Sequence, residues 1–130
     1  MNKKLQKQLL NKYPKLFHST RECPLTERGI ECNLGWYDIL DNLSEYIQQY
    51  IDWNKCEQIY FVQIKEKLSS LRIYHEPHNP NLQLLIDYTS FLSSKTCEDC
   101  GTTEKVTTNK KGWMRTLCAA CRKEHNKEKI

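Results

Sequence analysis

The sequence predicts an α+β fold: helices packed on a small antiparallel sheet, followed by a compact module built on four cysteines. Three observations carry the prediction. Apolar residues in GWYDILDNLSEYIQQYIDW (35–53) recur every three or four positions, the period of a helix lying on a core. EQIYFVQIKEKLSSLRIYHE (57–76) alternates instead, as strands do. TCEDCGTTEKVTTNKKGWMRTLCAACRK (96–123) holds two C-x-x-C pairs with seventeen residues between them.

Taken in order, LQKQLLNKYPKLF starts as a short helix that Pro14 interrupts. From His18 to Gly35 the chain has Pro24, Gly29 and Gly35 with little apolar periodicity, and reads as an irregular connection. It holds Cys23 and Cys32; with His18 or Cys56 these could join a second metal site, although their spacing fits no familiar pattern and free thiols are the simpler reading. Trp36, Leu40, Leu43, Ile47 and Ile51 then line one helix face, while Asp38, Asp41, Asn42 and Glu45 face water. In the hairpin, Val62, Ile64, Leu71 and Ile73 are expected on the core side. Phe61, Gln63, Lys65, Arg72 and Tyr74 are expected on the outer side. His75 and His78 lie among Pro77 and Pro80, which forbid a helical H-x-x-H, so both are expected in an exposed loop. NLQLLIDYTSFLSS closes the first part as a helix carrying Leu82, Leu85, Ile86 and Leu92. The division expected is a core over residues 1–94 and a metal-binding module over 95–130.

The cysteine spacing matches a structural zinc site, with Cys97, Cys100, Cys118 and Cys121 as ligands to one Zn2+. Gly101 after the first pair can take the positive φ that closes a knuckle. Lys105–Thr108 and Trp113–Leu117 read as strands about an Asn109–Gly112 turn, and the second pair falls on the first turn of a helix. Knuckle, hairpin and helix in that order resemble a treble-clef zinc finger. Four thiolates fill a tetrahedral ion and leave no open position, so such a site holds structure and does not catalyse.

The chain has 130 residues and a formal charge of +4, with eight Lys and Arg against five Asp and Glu in residues 97–130. One Zn2+ on four thiolates would bring the total down to +2, which weakens the case for a strongly basic nucleic-acid grip. The N-terminal segment is interrupted by Lys and Gln, unlike a secretory signal, and no window is apolar enough to span a bilayer. A cytoplasmic protein without a membrane partner is the expectation. Seven cysteines then favour metal ligation over disulfides.

No phosphate-binding loop, nucleophile elbow or H-E-x-x-H is present, and no histidine stands between Cys97 and Cys121, so no catalytic residues and no enzyme activity are expected. Two kinds of binding remain. Lys65, Lys67, Arg72 and Tyr74 with Lys110, Lys111 and Arg115 could grip nucleic acid or a signalling nucleotide. Alternatively a host protein is the partner, docking on surface aromatics drawn from Trp36, Phe61, Trp113 and Tyr74, although Trp36 also suits a packing anchor.

Over roughly residues 8–122 the chain resembles a broad family of small uncharacterised bacteriophage and prophage proteins. The resemblance lies in GWYDILDNLSEYIQ, VQIKEKLSSLRIY, and TCEDCG with GWMRTLCAAC. In the family pattern two glycines stand at Ser69 and Ser70, and a cysteine often stands at Ser44, while Lys65, Lys67 and Arg72 match. The resemblance implies a phage origin and a host-cytoplasm setting and supplies no activity. Because small phage proteins often act on host proteins, including defence factors, a non-enzymatic inhibitor or adaptor is the favoured expectation of the two kinds of binding.

Overall fold

The computed structural model of the chain describes residues 1–17 and 29–128. Helix α1 (Lys3–Lys12) begins at Asn2, whose side chain accepts from the Leu5 N–H, and ends before Pro14. Leu16 and Phe17 then turn into the core, and the Leu16 carbonyl accepts from Phe61 N–H at 2.8 Å. After strand β1 (Ile30–Glu31) and a 3-10 turn (Leu34–Trp36) comes α2 (Tyr37–Asn54), which buries Leu40, Leu43, Ile47 and Ile51. It stops at Lys55 in a left-handed cap conformation. Strands β2 (Tyr60–Lys67) and β3 (Ser70–Glu76) form the hairpin, and α3 (Pro80–Ser93) follows. Asn79 caps α3 by accepting from Asn81 and Leu82 N–H, with Pro80 at the first helical position. Strands β4 (Val106–Thr108) and β5 (Thr116–Cys118) and helix α4 (Ala119–Glu128) complete the described chain.

The fold is α+β, as the alternation and helical periods predict. The antiparallel β2–β3 pair sets Ile64 opposite Ile73 and Lys65 opposite Arg72. On its other edge β2 pairs in parallel with β1, Ile30 opposite Ile64, so the sheet is mixed. The segment read as an irregular connection therefore contributes a strand. Two residues are too few to show an alternation, which is why the sequence hides it. His18 and Cys23 lie outside the described residues.

Helices α2 and α3 cover the core side of the sheet, and the main apolar cluster gathers Leu9, Trp36, Ile47, Phe61, Leu71 and Leu82 with their neighbours. Each fully buried side chain of this kind is worth about 1.5–3 kcal/mol. A second, smaller cluster of Cys97, Leu117 and Cys118 lies in the C-terminal module.

Two side chains, Phe61 and Val62, fall elsewhere than the simple alternation puts them. A bulge between Phe61 and Gln63 shifts the register of β2. Phe61 is thereby fully buried, edge-on to Phe17 at 5.1 Å, and is not on the outer face; Val62 is only half-buried. Trp36 is also fully buried and offers no docking surface. His75 belongs to β3 and is half-buried, while His78 is exposed.

Candidate metal centre

The first C-x-x-C pair forms its knuckle because Gly101 adopts φ +84° and its N–H returns to the Cys97 carbonyl at 2.9 Å. Cys97 N–H in turn donates to Thr102 O at 2.8 Å. The second pair straddles an element boundary: Cys118 is the last residue of β5 and Cys121 lies in the first turn of α4. It is thus half on the strand, not wholly on the helix. Strand β5 is shorter than Trp113–Leu117 suggested and shifted by a residue, because Asn109 bridges the loop by donating to the Lys111 and Trp113 carbonyls.

The sulfurs of Cys97, Cys100, Cys118 and Cys121 all lie within 4.8 Å of one another. A tetrahedral ion with metal–sulfur bonds of about 2.3 Å requires sulfur separations of about 3.8 Å. Cys100 Sγ and Cys118 Sγ are 3.7 Å apart, which fits. The four cysteines can therefore hold one metal ion, and an all-thiolate donor set suits Zn2+. The backbone favours the charged form of Cys97, whereas burial and the neighbouring thiols push the Cys121 thiol up. Cys121 N–H points at Cys118 Sγ at 3.4 Å. Burial alone would raise the Cys97 thiol, but backbone N–H groups of Cys100, Cys118 and Asp99 reverse that and hold it at about 7.

Around the cluster the module is tied together and to the core. His125 Nε2 lies 2.6 Å from Asp99 Oδ2, joining α4 to the knuckle, and Asp99 Oδ1 accepts from the Asn33 amide at 3.0 Å. Arg122 donates to the carbonyls of Thr107 and Arg115 across the β4–β5 hairpin. Trp36 Nε1 donates to Thr96 O at 3.0 Å, and Gly35 N–H to Glu98 O at 2.9 Å. Glu98 is buried; its carboxylate accepts from Thr116 N–H at 3.1 Å and faces Arg115 at 3.5 Å. Thr116 Oγ1 lies 2.6 Å from Ser69 Oγ, 2.8 Å from Thr108 Oγ1 and 3.1 Å from Ser69 O. Gly35, Glu98, Thr116 and Arg122 were not singled out as site residues from sequence, since each works through a partner distant along the chain.

Among the described residues, no other group of three or more His, Cys, Asp or Glu could hold a metal ion. Cys32 is buried apart from this cluster, and that burial pushes its thiol up to about 12, the signature of an inert packing thiol. Cys56 is half-buried.

The cationic residues are spread over the two hairpins. Lys65 and Arg72 are opposite one another on the outer face of the hairpin, with Lys65 Nζ 5.9 Å from the Tyr74 ring. Arg72 and Tyr74 border a cavity of about 470 Å3 between β3 and α3, but Glu76 and Asp87 line it as well. Lys67 sits at the hairpin tip, beside Leu68, Trp113 and Met114 around a cavity of about 360 Å3. Lys110 and Lys111 are exposed on the β4–β5 loop. Arg115 is committed to Glu98. Among the described residues no helix is long and apolar enough to cross a membrane. No protein-family model, curated protein or solved structure matches the chain.

Proposed function

We propose that the chain is a non-enzymatic binding protein stapled by one structural Zn2+, and that it acts as a phage-encoded inhibitor or adaptor on a host protein. The observation that carries this reading is the amount of bulky apolar surface held away from the core. Trp53 is 73% exposed, Leu84 70% and Trp113 75%, and Tyr46, Leu68, Tyr88 and Phe91 are also more than half exposed. Contiguous apolar exposure marks interaction surfaces on soluble proteins, and the exposed Tyr88 and Phe91 rings stack against one another at 6.3 Å. The four-sulfur site supports a scaffold role, because a filled tetrahedral thiolate shell keeps the module rigid without offering a coordination position.

Binding of nucleic acid or a signalling nucleotide is the second reading, favoured by Lys65, Arg72 and Tyr74 sharing the outer face of the hairpin. Affinity capture from host lysate, run in parallel with and without nuclease treatment, separates the two. A stoichiometric protein partner retained by both the parent chain and the Lys65→Glu/Arg72→Glu variant supports the protein reading. Retention of nucleic acid or nucleotide alone, lost in that variant and falling steeply with salt, supports the other.

A further inference from the structure

Helices α2 and α3 each carry two apolar faces. In α3 the buried face is Leu82, Ile86, Thr89 and Ser93, yet Leu84, Tyr88 and Phe91 follow at i, i+4 and i+7 on the opposite side. All three are more than half exposed, and the Tyr88 and Phe91 rings stack at 6.3 Å. Helix α2 repeats the spacing with Tyr46, Tyr50 and Trp53, of which Tyr46 is 51% and Trp53 73% exposed. The two helices pack side by side, and Tyr50 Oη accepts from the Asn81 amide of α3 at 3.0 Å. Two aromatic stripes thus run over the outside of the helical layer. A patch built from several such side chains reaches the few hundred Å2 that on monomers is commonly functional.

The charge carried by the two helices is one-sided. The two helices contain five acids and no Lys or Arg, in a chain whose formal charge is +4. Asp38, Glu45 and Asp52 recur every seven residues, so they form one row along α2 beside the Tyr46–Trp53 stripe. Only Asp41 has a cationic partner, Lys12; among the described residues Asp38, Glu45, Asp52 and Asp87 have none. Nucleic acid would be repelled here. A second copy would set acid row against acid row. A cation is suited to the aromatics, as Lys95 Nζ already lies 5.8 Å over the Phe91 ring.

We propose that this face docks a protein partner presenting a basic amphipathic helix, its apolar side on the aromatic stripes and its Lys or Arg residues against the acid row. The proposal rests on the protein-binding reading above and names the surface and the partner's chemistry. An amphipathic helix laid on an apolar face is a recurrent recognition mode, and the acid row would fix orientation and speed association.

The test uses the full zinc-loaded chain and a displayed library of helical peptides with apolar positions at i, i+4 and i+7. Half the members carry Lys and Arg beside those positions, and half carry Asp and Glu. Selection should enrich the basic members. The best synthetic peptide should lose about tenfold or more in affinity on Tyr88→Gln, on Trp53→Gln, and on Glu45→Lys with Asp52→Lys, while Trp113→Gln leaves it unchanged. Leu84→Gln reads the same face should Trp53→Gln fail to fold, as judged by zinc content and circular dichroism. Enrichment of acidic peptides, no enrichment, or indifference to the helix-face variants overturns the proposal. So does a dimer of the free chain that Tyr88→Gln dissociates, because the face then belongs to a second copy. If no peptide binds but the parent and Tyr88→Gln capture the same host protein, this surface is wrong and the binding reading stands. If nothing is captured either, both fall.

Discussion

Gly35 marks the closest approach of the core to the metal module. A Cβ built there would lie 2.2 Å from Cys97 O and 2.4 Å from the Glu98 carbonyl carbon, both backbone atoms with no side chain able to swing away. Gly35→Ala should therefore cost about 3 kcal/mol or more, read as a lowered urea midpoint together with weaker metal retention. From sequence this glycine looks like an ordinary breaker after a loop, since the atoms that demand it belong to residues more than sixty positions later. Gly101 was legible for the opposite reason: its partner, the Cys97 carbonyl, sits within the same tight turn. The four cysteines were legible too, because their spacing is itself the geometry of the site. Arg115 was not, as only the fold reveals that buried Glu98 claims its charge.

Among the elements, α2 was legible because its apolar period runs unbroken over many residues, whereas β1 is too brief to show any pattern. The bulge in β2 inverts the faces of Phe61 and Val62 with no glycine or proline to announce it. Strand β3 carries a titration that can be measured. Burial, with His78 nearby, lowers the His75 pKa from its ordinary 6.5. The unfolded chain then takes up the proton more readily, so this stability is complete above that value and is lost as pH falls through it. His75→Gln should flatten the decline in urea midpoint between about pH 7.5 and 5 relative to the parent. An identical slope in both proteins would assign the acid sensitivity to other groups.

At the scale of the molecule, two apolar clusters share one set of fastenings. Trp36 anchors the main core and donates to Thr96 beside the first cysteine. Removing the metal with a strong chelator should accordingly loosen more than the C-terminal module. Elemental analysis should find about one Zn2+ per chain before chelation. Afterwards the thermal midpoint of the whole chain should fall, and Trp36, now buried, should report the change in near-ultraviolet circular dichroism. Cys100→Ser should reproduce both effects; a variant retaining full metal and stability would refute the ligand assignment. The sequence suggested a boundary near Ser94, and composition does change there. What it could not disclose is how firmly the two sides are joined, since those bonds span tens of residues.

The hydroxyl of Thr116 has one proton and two lone pairs, and all three are in use. It donates to the Ser69 carbonyl and accepts from the Ser69 and Thr108 hydroxyls. A valine would match its shape yet leave the buried Ser69 hydroxyl and carbonyl without this partner, whereas a serine would keep every bond. The hairpin tip and the finger therefore meet at a saturated oxygen, and drawing Ser69 away from it must break two hydrogen bonds at one atom.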